Sequence, residues 1–537
     1  MRKATFKINS LAFQSRFLLV TLCVSIVLLL ARAIYINGPD VVVDDAYISF
    51  RYALNWVNGA GLVYNLGEHV EGYTNFLWTV LLAGCAYLGF DIAFCSKILS
   101  VCMAICTLFI IYRFSQHLFT GHQVYWVIAA LPLILFSVMP SQARYVVSGM
   151  ETLLFVFLLT FSTYLFYKCK WAASGVVYAL TAITRPEGLM YFVIAFGFGL
   201  VLLKEGTHQP PEMRQFISRF LVSFVLIYGS YFLWRYSYYG YLFPNTFYAK
   251  APGLNFANLE RGWNTLGEVF ISWNILPLLF LGFFALPSAR SDRIWYLFAG
   301  FVLITAIYFL YIGGDFVVWF GPRFFMPVLP FILLMAAEGI HRIISTIQLQ
   351  GIRLILVWLI PLLLILNGLW LSWPARFDQL DTFKSQMRSW RELGNWMKLN
   401  LPAETKIATD AAGLIPFYSN LYAIDMFGLT DEHIAHLDVS DIGKGVVAHE
   451  KYDPFYILRR KPDCLVSTWM NEQGQAISAG LDAVTQGLEG LYELVAVAKV
   501  RYGAPPDGRW VIATSTYSQA LFKDGYQTGL FCLKANQ

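Results

Sequence analysis

Charged residues are scarce in this chain, so the places where they gather among aromatics are where chemistry is to be sought. Residues 44–51 read DDAYISFR, two adjacent aspartates a few residues past a long apolar run. One aspartate at a helix start would serve as a cap for free backbone N–H groups, where the helix dipole also favours it. Two adjacent carboxylates repel each other, and at least one needs a raised pKa or a cationic partner. Such a pair suits a general base and the group that positions it, or a cation site, provided a reacting hydroxyl comes within reach. The same loop closes with LGEHVEGYTNFLW, which brings Glu68, His69 and Glu71. RYVVSGMETLLF then sets Arg144 and Glu151 at the mouth of an apolar segment. TRPEG sets Arg185 and Glu187 in a tight Pro/Gly turn between two more. FPNTFYAK and GGDFVVWFGPRFF add Lys250, Asp315 and Arg323 beside rings.

Taken singly, Glu151 reads as a carboxylate solvated at headgroup level, and Arg185 and Glu187 read as a mutual pair. Taken together, the set holds carboxylates to accept a proton, cations suited to a phosphate, and rings to stack on a sugar or flank a lipid chain. The implied chemistry is group transfer from a lipid phosphate to an acceptor hydroxyl. The base activates the hydroxyl, and the cations stabilise the charge that grows on the departing phosphate.

The elements that must position these residues are membrane elements. The chain has 537 residues, 57% hydrophobic and 14% charged, with a mean hydropathy of +0.55, far from the roughly 25% charged content of soluble domains. Its net charge of +5 is dispersed, with no basic block of the kind a nucleic-acid partner requires. Apolar segments recur near 17–36, 74–90, 98–113, 123–139, 150–167, 171–184, 188–203, 217–234, 266–287, 294–312, 324–340 and 352–373. The first, behind Arg2, Lys3, Lys7 and Arg16, reads as a retained signal-anchor.

With a cytoplasmic N-terminus, the positive-inside rule can be applied to the Lys/Arg-bearing loops. Loops holding Arg113, Lys168 and Lys170, Lys204 to Arg219, Arg290 and Arg293, and Arg342 with Arg353 all fall inside if 74–90 is re-entrant or juxtamembrane. That leaves about eleven crossings. The first outer loop (37–73), the polar stretches above and everything after 373 then share the outer face.

The tail has ordinary polarity and alternates helical and strand-like stretches, an α/β domain over 374–537 behind a transmembrane module over 1–373. Residues 46–61 have the periodicity of a short interfacial helix. Cys464 and Cys532 could pair if the tail faces an oxidising compartment, but the sequence leaves open whether they do; the other six cysteines lie in apolar runs and read as small core residues. His433 and His436 in DEHIAH have no third ligand in sight and read as a surface helix.

In its motifs the chain resembles the GT-C superfamily of integral-membrane glycosyltransferases, nearest to the bacterial branch that contains the mycobacterial terminal β-arabinofuranosyltransferase. The likeness runs through DDAYISFRYALNWVNGAGLVYNLGEHVEGYTNFLW, SGMETLLF, TRPEGL, YYGYLFPNTFYAK, GGDFVVWFGPRFFMPVLP, DAAGLIPFYSN and IDMFGLTDEHIAH, which follow in order over most of the chain. The resemblance implies a GT-C-like polytopic α-helical fold with a periplasmic α/β domain, in the bacterial inner membrane. It implies an inverting transfer from a polyprenyl-phosphate sugar donor to a hydroxyl of a cell-envelope glycan or glycolipid.

Onto this sequence it carries Asp44 or Asp45 as the base, with a lean to Asp44, and Glu151 as the second acidic residue. Related enzymes hold the lipid phosphate with basic residues; Arg144, Arg185, Lys250 and Arg323 are the candidates here, with no one-to-one match to the family. Arg51, His69, Glu71, Tyr73, Glu187, Asn245 and Asp315 become the pocket lining. Some superfamily members use a divalent cation and others none, and no clean ligand set is evident here. The competing reading, a lipid-linked glycan flippase, calls for charges at mid-membrane depth on broken helices; here they gather at segment ends. Sugar, acceptor and oligomeric state are not written in these motifs.

Overall fold

A computed structural model describes residues 2–37, 42–119, 126–205, 210–250, 255–286, 293–315, 320–370, 377–439, 442–468, 470, 491–499, 510–513 and 526–534. Each of the dozen apolar segments contains a helix. Among the described residues, six helices are long and apolar enough to cross a membrane: Gln14–Ile36, Ile92–Phe119, Met213–Tyr239, Ile294–Tyr311, Met326–Thr346 and Gln350–Trp370. Five apolar helices among these residues are shorter. This is a multi-pass, mainly helical membrane protein with a small sheet near its C-terminus. The segment near 74–90 forms the helix Phe76–Tyr87, which at 12 residues is about 18 Å long and short of the ~30 Å hydrocarbon core.

Two expectations are corrected by the elements. The apolar run 266–287 is not one straight helix. Phe256–Ser272 and Ile275–Phe283 meet at an 86° bend, where Asn274 takes a left-handed φ of 57°, a conformation Asn tolerates better than most residues. The helix starting at the aspartate pair, Asp44–Val57, does not leave a polar face to water either. Ala46 through Ala53 are all buried, with the rings of Phe417 and Tyr418 against Tyr47 and Phe50.

The chain divides into two compact units, one of residues 1–39, 96–234 and 260–373, the other of residues 40–95, 235–259 and 374–537. The first is a helical unit held by close helix approach and ring stacking, as expected where water drives little association. A side chain at Gly339 would meet the Leu281 carbonyl oxygen at 1.8 Å. Phe192 stacks on Phe224 with centroids 3.5 Å apart.

The second unit carries the sheet. Its strands are β1 Lys406–Thr409, β2 Tyr422–Asp425, β3 Cys464–Ser467, β4 Tyr492–Lys499, β5 Val511–Ala513 and β6 Tyr526–Leu533, in the spatial order β2-β1-β3-β6-β4-β5. β1 runs parallel to β2 and β3; the β3–β6, β6–β4 and β4–β5 pairs are antiparallel. Ala408, Ile424, Met426, Ile434, Ile457 and Leu465 form its core. The helix Phe377–Asn400 belongs to this unit, with Trp390 Nε1 donating to Thr528 Oγ1 of β6. Cys464 and Cys532 are joined by a disulfide at directly opposed positions of β3 and β6.

Candidate functional site

The sequence-predicted residues fall into two groups, one in each unit. In the helical unit, Glu151 stands at the start of the helix Thr152–Tyr167, and Arg185 and Glu187 occupy the turn between Trp171–Thr184 and Gly188–Glu205. The turn closes so tightly that a side chain at Gly188 would meet the Ala182 nitrogen at 2.5 Å. Arg185 donates from Nη1 to Glu151 Oε1 at 2.6 Å, and from Nη2 and Nε to the two oxygens of Glu187 at 2.8 and 3.3 Å. Glu151 is almost wholly buried at 2% exposure, while the Arg185 side chain keeps 15%.

Arg323 Nη2 donates to Asp315 Oδ1 at 2.8 Å. The guanidiniums of Arg185 and Arg323 both lie over the Phe324 ring, at 5.5 and 5.4 Å. Arg144, from the short helix Pro140–Tyr145, donates to the Phe320 carbonyl at 3.0 Å and lies over the rings of Trp273 and Phe320. The Tyr145 hydroxyl is within electrostatic reach of Arg323, Asp315, Arg144 and Arg185. Six predicted residues thus meet in one group, three arginines against three carboxylates, with aromatic walls.

In the sheet-bearing unit, neither aspartate of the opening pair caps its own helix, whose cap position is Val43. Asp44 accepts from Leu414 N at Oδ1, 2.6 Å, and from Gly413 N at Oδ2, 3.2 Å. Gly413 is required by this approach, since a Cβ there would meet the Asp44 carbonyl oxygen at 1.9 Å. Burial pushes the Asp44 carboxyl up to about 7; the two backbone donors pull it back in part, and the neighbouring Asp45 pushes it further up. The carboxylate is half-buried, and two hydrogen bonds leave lone pairs unused. It is a fixed acid–base group titrating near neutrality.

Other predicted pocket residues are committed to structure. Arg51 donates to the carbonyls of Tyr64, Pro416 and Leu421 and to Asn65 Oδ1, fastening the first loop to the 414–421 region. Asn245 donates to the carbonyls of Gly428, Leu429 and Asp431. Glu71 is gripped by Arg235 Nε at 2.7 and 3.0 Å, both side chains being buried, and burial pushes its carboxyl up to about 7 against that cation. Arg235 was not foreseen; its only signal was one basic residue near the end of an apolar run. Tyr73 meets the Tyr239 hydroxyl at 3.2 Å, and His69 packs edge-on against Tyr238. Lys250 ends the helix Asn245–Lys250 and is exposed; its charge and that of Asp45 both reach His449. His433 stacks on Tyr456 and contacts Asp453 at 3.2 Å. Among the described residues, no group of three or more His, Cys, Asp or Glu could hold a metal ion.

The architecture has solved counterparts. The crystal structure of ArnT from Cupriavidus metallidurans bound to undecaprenyl phosphate superposes with a TM-score of 0.58 at 10% identity, over 96% of this chain and 97% of that one. The chain has the GT-C fold. The apo structure of the same ArnT gives 0.57 at 10% identity and equal coverage. The cryo-EM structure of the arabinofuranosyltransferase AftD from mycobacteria gives 0.52 at 14% identity, over 97% of this chain but 40% of AftD. Residues 379–520 match a family described as a domain of unknown function (DUF8728). No curated protein matches the chain.

Proposed function

We propose that this GT-C protein is an inverting glycosyltransferase that moves a sugar from a polyprenyl-phosphate donor to a hydroxyl of a cell-envelope glycan or glycolipid. The observation that carries the reading is the group of Arg144, Arg185 and Arg323 with Glu151, Glu187 and Asp315 on this fold. It is supported by the likeness to an ArnT whose structure holds undecaprenyl phosphate.

The acceptor oxygen attacks the anomeric carbon, the bond from that carbon to the phosphate oxygen breaks, and polyprenyl phosphate leaves with one more negative charge than the donor carried. Asp44, held by Gly413 and Leu414, takes the acceptor proton, and Asp45 keeps it basic enough to do so. Arg185, Arg323 and Arg144 receive the phosphate, whose growing charge strengthens those contacts in the transition state. The carboxylates of Glu151, Glu187 and Asp315 hold the guanidiniums in place beforehand, so little reorganisation is left for the reaction. Lys250 is a further cation for the donor or acceptor. No metal-dependent step is assigned.

The reaction face is the periplasmic side of a bacterial inner membrane, with the N-terminus cytoplasmic. The disulfide between Cys464 and Cys532 supports that side, because such bonds persist in oxidising compartments.

The test is the purified full chain in lipid nanodiscs with labelled polyprenyl-phosphate sugars and an envelope glycan acceptor. Label is expected to move to the acceptor, and to stop moving in Asp44→Asn. Unchanged transfer in that variant overturns the base assignment; lipid translocation without transfer overturns the enzyme reading in favour of a flippase.

A further inference from the structure

The helix Phe256–Ser272 has three faces rather than two. Asn258, Gly262, Leu266 and Val269 are turned into the protein. A second face is apolar and uncovered: Phe256 is 92% exposed, Leu259 37% and Trp263 68%; Ile271, 74% exposed, falls outside it, in the arc of the third face. A third, beside it, carries exposed Glu260, Asn264 and Glu268, whose i, i+4, i+8 spacing keeps them in one stripe.

Protein, oil and water would each find a matching side on such a helix. A span could not carry the acidic stripe through hydrocarbon at acceptable cost. At 17 residues the helix is also only about 26 Å long. The 86° bend then turns the chain into Ile275–Phe283, whose Leu276, Phe280 and Phe283 are exposed and apolar. Past the bend the chain thus enters an element whose uncovered apolar surface suits hydrocarbon.

We propose that Phe256–Ser272 lies along the bilayer surface, with Phe256, Leu259 and Trp263 seated at the headgroup–acyl boundary of a lipid leaflet and Glu260, Asn264 and Glu268 facing water. Trp263 is the anchor, its ring apolar and its indole N–H able to reach the headgroups. The proposal is independent of the transferase reading, since neither donor nor acceptor enters it.

The test is nitroxide scanning of the full chain in nanodiscs of phosphatidylethanolamine and phosphatidylglycerol, with the six cysteines outside the disulfide replaced by alanine. Labels go on Phe256→Cys, Leu259→Cys, Trp263→Cys, Glu260→Cys, Asn264→Cys and Glu268→Cys. Accessibility to a polar nickel complex is expected to be several-fold higher at the three polar positions. The three apolar positions are expected to favour oxygen at one shallow depth, about 5–10 Å.

Depth that changes steadily along the helix, by about 1.5 Å per residue, would mean a span and overturn the proposal. Apolar positions shielded from both probes would mean a protein partner and overturn it too. If the cysteine-replaced background does not fold, a photo-crosslinking phenylalanine at Trp263 and at Asn264 in the native-cysteine chain gives the same decision. Lipid adducts at Trp263 but not at Asn264 support the proposal; adducts at neither position, or equally at both, reject it.

Discussion

At the scale of the residue, the reaction proposed here turns on Asp44. Its carboxyl titrates near 7, so the ionised form that can accept a proton accumulates as pH rises through neutrality. The acid limb of the kcat/KM profile is therefore expected near that pH. Asp45 is one cause of the elevation, so Asp45→Asn is expected to move the limb to lower pH while leaving transfer measurable; an unmoved limb would show that another group titrates. Asp44→Asn is expected to cost about 10²–10⁴-fold in kcat. Gly413→Ala tests the support, since its new Cβ would fall 2.7 Å from the Asp44 carboxyl carbon. The displacement is expected to cost about 10²-fold in kcat in a transfer assay. The aspartates were legible in the sequence because two charges interrupted an apolar landscape. Their partners were not, because backbone N–H groups at Gly413 and Leu414 have no side-chain signature. Arg51 and Asn245 show the converse: visible as polar residues, they are spent on backbone carbonyls.

At the scale of the element, buried ion pairs decide what can be changed. Arg235 and Glu71 join residues 164 apart and are both buried. Arg235→Leu leaves an unmatched carboxyl and is expected to cost about 3–5 kcal/mol, whereas the double variant with Glu71→Leu should recover much of it. Thermal melting in nanodiscs checks both, and equal losses in single and double variants would refute the pairing. The Cys464–Cys532 disulfide closes a separation of 68 residues. Its removal as a Cys464→Ala, Cys532→Ala pair is expected to cost at most about 4 kcal/mol by loop entropy, read the same way. Helical segments were legible from apolarity, but their bends and burial were not. A hydropathy average over 266–287 is blind to one left-handed asparagine at 274. The periodicity of 46–61 reads as a helix half in water, because the rings that cover its first turns, Phe417 and Tyr418, lie some 370 residues away.

At the scale of the whole molecule, polarity is concentrated where burial raises its cost. Asp44 and Glu71 are pushed up to about 7 and Asp425 to about 6, each chiefly by burial. Folded carboxyls with raised pKa values hold protons that the unfolded chain has already released between about pH 4 and 7. Stability from these groups is thus full below pH 4 and declines as pH climbs to 7. Melting followed over that range should fall less steeply in Glu71→Gln than in wild type, and parallel curves would contradict the assignment. The fold class and the six-residue charged group were foreshadowed by the sequence, because scarce charges in a membrane chain have few reasons to exist. Asp44 carries one further implication, which concerns time. Its backbone donors lie 369 and 370 residues downstream. At roughly 5–20 residues per second, synthesis reaches them some 20–70 s after the aspartate itself emerges. Until then the base proposed here has no fixed orientation, so a nascent chain already threaded into the membrane is a silent one, switched on only when its last third arrives.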